Sequence, residues 1–413
     1  MKYAVICPDG AADWPCGALG NRTPLEAAVL PNLARLAAEG VVGRAMHIPP
    51  GMESGSDICC MSLLGFDPAK YHTGRAPLEA KSLGVELGPD DIAVRCNTVT
   101  IEEGILADFT AGHIETEESR QLIEALEQVC GRDGLHFHPG VSYRHLLVIR
   151  KPPSPFPLPP GERVGVGALD AVCTPPHDIT GKQAANHLPK GSDAGLLLDL
   201  MRKSETLFAE HPVNKARAAK GLAPATQIWL WGHGRRPNLP LYKDYYGVSG
   251  GVISAVALMN SLGMYSGLEA IKVPGITGYV DTNYEGKGSY AVDALGRHDA
   301  VFVHIEAPDE CGHQGDWQGK VKSLERIDAA IIGALLNSRY AQAGELRILV
   351  CPDHPTPLAL KTHATEPVPF VAWGPGLKSN GLKYNESQAR LSKIFVPQGH
   401  ELMGKFLKAG FGL

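Results

Sequence analysis

The chain has 413 residues, of which 44% are hydrophobic and 20% are charged, and its formal net charge is −5. This length suggests two or three domains, and the composition is that of a packed core rather than of a disordered chain. The weak acidity and the lack of a basic stretch argue against nucleic acid or an anionic membrane as the main partner. No apolar run reaches the roughly 18–20 residues of a membrane span, and no secretory signal pattern is present, so we expect a cytoplasmic protein.

Short apolar runs alternate with helical segments near both ends of the chain. The runs, in chain order, are 3–7, 228–232, 301–305, 347–351 and 368–373. The segments with helical spacing include 24–39, 251–262 and 320–336. Apolar runs separated by helices are typical of a parallel sheet that is covered on both faces. The sequence therefore predicts an α/β fold with a doubly wound, mostly parallel sheet.

The middle of the chain has a different pattern, with more polar helices and short strand candidates. A helix is predicted over 115–130, and strands are predicted over 92–100 and 145–150. The tract at 151–167 is rich in proline and glycine, which predicts an exposed loop. We therefore predict a smaller inserted α+β domain over 75–215, with the core formed by 1–74 and 216–413.

Three of the apolar runs are followed by acidic residues and histidines. These are Asp9 after the first run, Asp309 and His313 after 301–305, and Asp353, His354 and the later His363 after 347–351. In an open parallel sheet, ligands collect at the carboxyl ends of the strands, and carboxylate and imidazole groups suit zinc, manganese and similar ions. One Asp at such a position is commonly a cap or turn residue, and a lone His is commonly structural. Three of each at strand ends favour a metal site.

A second candidate is the segment 49–65, in which Gly55 and Ser56 precede a predicted helix. Serine is a natural N-cap at this position, which is the structural alternative. The free N–H groups and the dipole of the helix also favour an anion there. A metal that lowers the pKa of the hydroxyl would make Ser56 a nucleophile, with Ser54 and Ser62 as weaker candidates.

Basic residues suited to an anionic substrate form a third set. They are Arg75, Arg95, Arg144, His145 and Lys287. Arginine binds phosphate or carboxylate through two parallel hydrogen bonds, and lysine acts as a point charge. Each of these residues alone is an ordinary surface charge. Arg95 and Arg144 stand among apolar or small residues, which modestly favours a binding role for them.

The motifs around these candidates are similar to those of a known family. They include PDGAADWP, SLLGFDP, YHTGRAPLEA, VRCNTVT, DFTAGHIETEE, GVSYRHLLV, APDECGH and CPDHPTP, and they extend over nearly the whole chain. On these motifs the sequence resembles the archaeal-type, 2,3-bisphosphoglycerate-independent phosphoglycerate mutases of the alkaline phosphatase superfamily. The resemblance implies an alkaline phosphatase-like core, two divalent metal ions, and a serine that is phosphorylated and dephosphorylated in each turnover.

Specific residues take on implied roles through this resemblance. The ligands of one metal would be Asp9, Ser56, Asp353 and His354, and those of the other would be Asp309, His313 and His363. Ser56 would accept the phosphoryl group and Lys287 would stabilise it. The residues that hold the substrate from the inserted domain would be Arg75, Arg95, His113, Arg144 and His145. We expect manganese, with cobalt, zinc or magnesium as alternatives, and no bisphosphoglycerate cofactor.

The implied reaction is the interconversion of 3-phosphoglycerate and 2-phosphoglycerate, so the partner would be a small phosphorylated hydroxy acid. Two features depart from the family pattern. Ala76 stands where many mutases of this type have glycine, and the stretch 353–370 resembles a subgroup proposed to phosphorylate homoserine. The alternative is therefore a phosphotransferase that phosphorylates homoserine or a similar small hydroxy amino acid on the same metal site. An inserted domain disfavours a plain phosphatase or sulfatase, and an intact Ser56 disfavours a scaffold without catalysis.

Overall fold

The computed structural model describes residues 1–132, 134–150 and 169–411. These residues form two compact units. Unit 1 consists of Met1–His72 and Asn238–Leu413, and unit 2 consists of Thr73–Pro237. The loop predicted over 151–167 lies outside the described residues.

Strands and helices alternate along most of the chain. The strands, in chain order, are β1 (Lys2–Pro8), β2 (Val41–Ala45), β3 (Ile92–Glu102), β4 (Ile105–Asp108), β5 (Leu135–Val141), β6 (Arg144–Ile149), β7 (Gln227–Arg235), β8 (Gly250–Ile253), β9 (Glu269–Ala270), β10 (Ala300–Ile305), β11 (Leu346–Val350), β12 (Val368–Trp373) and β13 (Phe395–Val396). The α-helices are α1 (Pro24–Ala27), α2 (Pro31–Glu39), α3 (Ser56–Leu63), α4 (Pro68–Tyr71), α5 (Ala76–Ser82), α6 (Thr116–Cys130), α7 (Ala194–Glu210), α8 (Pro212–Ala219), α9 (Tyr242–Tyr246), α10 (Ala257–Tyr265), α11 (Tyr284–Ala294), α12 (Ala307–Gln314), α13 (Trp317–Arg326), α14 (Gly333–Leu336), α15 (Arg339–Gln342), α16 (Glu386–Leu391) and α17 (Glu401–Lys408). A π-helical segment, Ile327–Ile332, joins α13 to α14. Within the described ranges, no helix is both long and apolar enough to cross a membrane.

Unit 1 is built on an eight-stranded mixed sheet with the order β13-β2-β12-β11-β1-β10-β8-β9. β1 pairs in parallel with β10 and β11, and the parallel arrangement continues from β10 to β8 and β9. β12 is antiparallel to both of its neighbours, β11 and β2. Ala4, Val5 and Ile6 of β1 are at most 1% exposed, as expected for a strand with both faces covered. The predicted α/β fold with a large, mostly parallel central sheet is confirmed.

Three elements differ from the sequence-based expectation. The run 228–232 is part of β7, which pairs with β3, so it lies in unit 2 and that unit extends to Pro237 rather than to 215. The helix predicted over 251–262 begins only at Ala257, because the residues before it form β8. The helix predicted over 24–39 is two helices, since Pro31 occupies the first position of α2 and lacks the N–H that would continue α1.

Unit 2 is built on an antiparallel sheet with β3 at its centre. β3 pairs with β6 and with β7, β5 extends the sheet beyond β6, and β4 pairs with the end of β3. Successive side chains of a strand point to opposite faces. Val94 accordingly packs in the cluster that contains Leu122 of α6, while Ala93 packs in the cluster that contains Ala76 of α5. Neighbouring residues of β3 and β6 therefore belong to different layers of unit 2.

Candidate metal centre

Three parallel strands of unit 1 end at the same edge of the sheet. β1 lies between β10 and β11, with Pro8 level with Ile305 and Ile6 level with Val350. Because the carboxyl ends of these strands meet at one edge, the residues that follow them are brought together. They are Asp9 after β1, Asp309 in the first turn of α12 after β10, and Asp353 and His354 after β11.

Asp9, Ser56, Asp353 and His354 form one set of candidate ligands, which we call group A. His354 Nε2 lies 3.5 Å from Asp9 Oδ1, 3.2 Å from Asp353 Oδ2 and 3.3 Å from Ser56 Oγ. The two aspartates and the histidine are at most 2% exposed. Ser56 is half-buried, so its hydroxyl is the most accessible member of group A.

Asp309, His313 and His363 form a second set, group B. His313 Nε2 is 3.2 Å from Asp309 Oδ2 and 3.1 Å from His363 Nε2, and His363 Nε2 is 3.6 Å from Asp309 Oδ1. The other ring nitrogen of each histidine faces a backbone carbonyl, since His313 Nδ1 is 3.0 Å from Lys361 O and His363 Nδ1 is 3.1 Å from Ser54 O. A carbonyl only accepts, so each Nδ1 donates and each neutral ring presents the Nε2 lone pair to group B.

Both groups have the dimensions of a divalent-metal site. Ligand atoms at about 2.1 Å from an ion in a tetrahedron are about 3.4 Å apart, close to the separations in groups A and B. Among the described residues, Asp9 Oδ1 is buried and makes no hydrogen bond. In group B, the Nε2 atoms of His313 and His363 converge on the carboxylate of Asp309. A cation would give Asp9 Oδ1 a partner and would take the place of the proton shared in group B, so the residues present fit divalent metal ions.

Thr356 and Gly10 hold the two groups side by side. Thr356 Oγ1 donates a hydrogen bond to Asp309 Oδ1 of group B and lies 3.2 Å from His354 Nδ1 of group A. Gly10 has a φ of +61°, and a Cβ there would lie 2.6 Å from both Asp309 Oδ1 and Thr356 Oγ1. Glycine is the residue that tolerates this conformation so close to a carboxylate. Asp9, Asp309 and His354 offer ligand atoms within 4.8 Å of one another, so groups A and B form one site, which we call the metal centre.

The carboxylates and histidines of the metal centre shift the pKa values of one another. Burial, together with the neighbouring Asp353, raises the pKa of Asp9 well above its ordinary value. Burial also acts to raise the pKa of Asp309, but hydrogen bonds from His313 and His363 hold that pKa well below its ordinary value. The hydrogen bond with Asp309 raises the pKa of His313 to about 9. A cation that binds at neutral pH must therefore displace a proton from His313.

Ser56 does not cap its helix, so the structural alternative for this residue does not apply. Gly55 is the N-cap of α3, and Ser56 is the first residue of the helix. The hydroxyl of Ser54 donates to a backbone carbonyl, and the hydroxyl of Ser62 lies 3.1 Å from His47 Nδ1. Of the three serines considered in this segment, Ser56 is the one whose hydroxyl contacts His354.

Lys287 lies on α11, close to the same edge of the sheet. Its side chain is fully buried, and Nζ donates a 2.7 Å hydrogen bond to the carbonyl of His304 in β10. Burial lowers the pKa of Lys287 to about 8. Nζ is thus directed at the backbone of β10, and the role of Lys287 toward a phosphoryl group stays a prediction.

The three arginines predicted to bind the substrate lie near one another in unit 2. Arg95 Nε donates a 2.9 Å hydrogen bond to Glu79 Oε2, and Nη2 forms an ion pair with Glu79 Oε1 at 2.9 Å. The guanidinium of Arg95 lies 3.9 Å from the ring centre of Trp231. Burial, with the charges of Arg75 and Arg144 acting in the same direction, lowers the pKa of Arg95 to about 10. We call Arg75, Arg95 and Arg144 the arginine cluster. Arg75 and Arg144 are exposed, whereas Arg95 is buried.

The two histidines predicted with these arginines have different positions. His145 is 1% exposed, its Nδ1 accepts a hydrogen bond from Gly140 N–H, and burial lowers its pKa to about 3. Because His145 directly follows Arg144 on β6, the two side chains face opposite sides of the sheet. His113 is exposed in the loop before α6, with a φ of +49°. The structure therefore separates His145 from the arginine cluster.

Sequence reasoning did not identify two residues at the metal centre, His304 and Thr356. His304 stands one residue before the end of β10, where the pattern predicts a core position, and its place beside Asp9 follows from the register of β1 with β10. A histidine inside an otherwise apolar run was the available signal. Thr356 follows His354 by two residues, and threonine in a loop carries no chemical signal of its own.

Comparison with known proteins identifies the family. A profile described as 2,3-bisphosphoglycerate-independent phosphoglycerate mutase matches residues 37–214. A protein of that name from Methanothrix thermoacetophila is 46% identical over 411 residues, which cover 99% of this chain and 100% of the relative. This chain belongs to that mutase family. A probable mutase of the same name from Geobacter sulfurreducens is 43% identical and covers 98% of this chain and 100% of its own length.

Solved structures agree with membership of the mutase family. The PH0037 protein from Pyrococcus horikoshii superposes with a TM-score of 0.80 at 26% identity, covering 98% of this chain and 96% of that chain. A cofactor-independent phosphoglycerate mutase from Thermoplasma acidophilum gives a TM-score of 0.67 at 26% identity, covering 99% of this chain and 100% of that chain. The family resemblance inferred from the sequence motifs is confirmed.

Proposed function

We propose that this protein interconverts 3-phosphoglycerate and 2-phosphoglycerate without 2,3-bisphosphoglycerate, through a phosphoserine at Ser56. Its relatives of that name, 46% identical over 99% of the chain, support the reaction. The observation that carries the residue assignment is the position of Ser56 Oγ, 3.3 Å from His354 Nε2 at the start of α3. The homoserine alternative has no comparable support, because the relatives are named mutases.

We assign the divalent ions of this reaction to groups A and B. Asp9, Ser56, Asp353 and His354 would hold one ion, and Asp309, His313 and His363 the other. Such ions would lower the pKa of the serine hydroxyl and offset the negative charge of the transferring phosphoryl group. Manganese is the ion we propose, with cobalt, zinc or magnesium as alternatives that the same donor atoms accept.

The chemistry consists of two phosphoryl transfers. Ser56 Oγ attacks the phosphorus of 3-phosphoglycerate, a bond from Oγ to phosphorus forms, and the bond to the 3-oxygen breaks. The proton lost by the Ser56 hydroxyl is balanced by the proton that the 3-oxygen gains. Glycerate stays bound and reorients. Its 2-hydroxyl then attacks the phosphoserine and the bond from Oγ to phosphorus breaks. The 2-hydroxyl loses a proton and Ser56 Oγ gains one, which gives 2-phosphoglycerate and restores the Ser56 hydroxyl. Water takes no part, so exclusion of water from the phosphoserine is required.

The remaining predicted residues would serve the substrate. The arginine cluster would bind its carboxylate and phosphate through charge-assisted hydrogen bonds, for which the fork of donors on each guanidinium is suited. His113 is an exposed candidate for the same role, and His145 would act from its buried position by supporting β6. Lys287 would contribute its positive charge near the end of β10. A small phosphorylated hydroxy acid of this kind is a metabolite of the cytoplasm, where we place the protein.

The proposed function is tested by a coupled assay. Manganese-loaded protein is incubated with 3-phosphoglycerate, and the formation of 2-phosphoglycerate is followed through enolase with no bisphosphoglycerate present. We expect turnover that EDTA abolishes and added manganese restores. Protein that contains metal but forms no 2-phosphoglycerate, and instead phosphorylates homoserine from ATP, would refute the mutase proposal.

A further inference from the structure

His304 lies beside group A, although the family resemblance gives it no role. It stands in β10, level with Cys7 of β1 in the parallel register, and is 1% exposed. Its Nε2 is 3.0 Å from Asp9 Oδ2. His304 also offers a ligand atom within 4.8 Å of one on Asp353. An imidazole nitrogen therefore lies at ligand spacing from the carboxylate of Asp9, with that of Asp353 nearby.

His304 Nε2 is a buried nitrogen that has no hydrogen bond among the residues the structure describes. Asp9 Oδ2 is close enough, but the two atoms are not in hydrogen-bonding geometry. The other ring nitrogen is engaged, since Nδ1 lies 3.2 Å from Ser254 Oγ. Buried polar atoms without a partner are rare in folded proteins, and each needs an explanation.

The contact at Nδ1 indicates what Nε2 offers. If Nδ1–H donates to Ser254 Oγ, then Nε2 carries a lone pair that is directed at buried carboxylates. A lone pair and a carboxylate repel each other, and a cation between them converts this repulsion into attraction. Protein oxygen atoms bonded to the far ring nitrogen orient metal-bound histidines in the same manner. The hydrogen bond from Lys287 Nζ to the carbonyl of His304 also fixes the backbone from which this ring projects.

We propose that His304 is a further ligand of the divalent ion held by group A. This ion then binds two imidazole rings, from His304 and His354, together with the carboxylates of Asp9 and Asp353. The inference deepens the proposed function and rests on its assumption that group A holds a divalent ion. A second imidazole makes the donor set of group A softer, which favours cobalt or zinc over magnesium.

The direct test is a crystal structure of the full-length protein loaded with zinc, with each ion located by its anomalous scattering. We expect His304 Nε2 at about 2.1 Å from one ion, the usual zinc–imidazole bond length. A distance beyond about 3 Å from every ion, with group A otherwise occupied, would overturn the inference. This result is independent of the mutase assay, so an inactive protein with a metal-bound His304 would count against the proposed function alone.

Metal affinity in two variants gives a second test. His304→Asn retains an amide that can reach Ser254, but its side chain is too short to reach the carboxylates of group A. In a chelator competition, we expect this variant to bind one zinc ion with an affinity lowered by more than about 100-fold and the other with unchanged affinity. Loss of a residue that only supports a ligand lowers metal affinity by about 10–100-fold. Equal zinc affinity in this variant and the wild type would overturn the inference.

His47→Gln is the matched control. His47 is 3% exposed, and its two ring nitrogens contact Ser62 Oγ at 3.1 Å and Cys351 Sγ at 3.3 Å. It is thus a histidine of similar burial with both nitrogens partnered outside group A. We expect this variant to keep the affinity of both zinc ions. If His47→Gln lowers the affinity for one zinc ion as much as His304→Asn does, the effect is not specific to a metal ligand and the inference fails.

Discussion

The metal centre of unit 1 and the arginine cluster of unit 2 differ in how the chain fixes their side chains. In the metal centre, Asp9, Asp309, Asp353 and His354 follow three parallel strands whose ends converge, so the topology of the sheet brings these candidate ligands together. The arginines come from the start of α5 and from two antiparallel strands, and the buried Arg95 is held by an ion pair with Glu79. The first arrangement is fixed by the convergence of strand ends, and the second combines the pairing of β3 with β6 and the ion pair of Arg95 with Glu79.

The largest expected effect is the loss of a ligand from the metal centre. Asp353→Asn should lower turnover on the order of 10³-fold, because it removes the charge that stabilises a cation next to His354. It should also remove about one equivalent of metal. Mass spectrometry of metal content and initial rates with 3-phosphoglycerate check both outcomes.

Arg144→Ala is the matched change in the arginine cluster. Arg144 is exposed and belongs to unit 2, outside groups A and B, so we expect a raised KM for 3-phosphoglycerate with full metal content. The distinction between the two regions fails if Arg144→Ala loses metal, or if Asp353→Asn retains it.

The ion pair that fixes the arginine cluster should matter for stability. Glu79→Ala leaves the guanidinium of Arg95, whose side chain is 7% exposed, without its carboxylate. We expect a decrease of about 3 kcal/mol in the free energy of unfolding by urea, because an unpaired buried charge is strongly destabilising. Glu117→Ala, which removes an exposed partner of Arg120 in the same unit, should leave the free energy of unfolding unchanged. Equal changes in the free energy of unfolding of the two variants would mean that the ion pair with Glu79 does not stabilise Arg95.

The packing between groups A and B should be sensitive to a single methyl group. Gly10→Ala places a Cβ 2.6 Å from Asp309 Oδ1 at a φ of +61°. Gly20→Ala is the control, because Gly20 has a φ of +65° with no atom within 4 Å of the added Cβ. Gly20→Ala should lower the free energy of unfolding by about 1 kcal/mol, because a residue with a Cβ is disfavoured at this backbone conformation. Gly10→Ala should lower the melting temperature more than Gly20→Ala does, and it should also weaken metal binding. Equal melting temperatures of the two variants would contradict the proposed packing.

Two histidines, His313 of unit 1 and His145 of unit 2, should have pKa values shifted in opposite directions in metal-free protein. The pKa of His313 is raised to about 9 by Asp309, and burial lowers the pKa of His145 to about 3. The stability that His313 contributes is therefore complete below about pH 6.5 and is lost as the pH rises toward 9. The burial of His145 instead costs stability as the pH falls from about 6.5 toward 3. NMR titration of the two rings checks this, and a His313 that is neutral at pH 7 would contradict it.

The convergence of the candidate metal ligands could be predicted from the sequence because parallel strands impose a simple rule. Asp and His residues directly after apolar runs must meet at one edge of the sheet, whichever order the strands take. The antiparallel direction of β12 and the assignment of β7 to unit 2 could not be predicted, because an apolar run has the same appearance in either direction and in either sheet.

The residues around the ligands were harder to predict. His304 stands inside an apolar run, where a histidine is ordinarily a core residue, and only the register of β1 with β10 places it beside Asp9. The candidate substrate residues come from local composition and from the family resemblance, and neither reveals which face of a strand a residue occupies. For this reason Arg144 and His145 were grouped together, although adjacent strand positions point to opposite sides.

The most direct test of the account is to locate the phosphoryl group on the enzyme. Metal-loaded protein is mixed with 3-phosphoglycerate, quenched in acid and digested with trypsin, and the peptide 45–70, which contains Ser54, Ser56 and Ser62, is fragmented by mass spectrometry. The account predicts phosphate on Ser56 and none on this peptide in Ser56→Ala. Phosphate on Ser54 or Ser62, or an active Ser56→Ala variant, would contradict it.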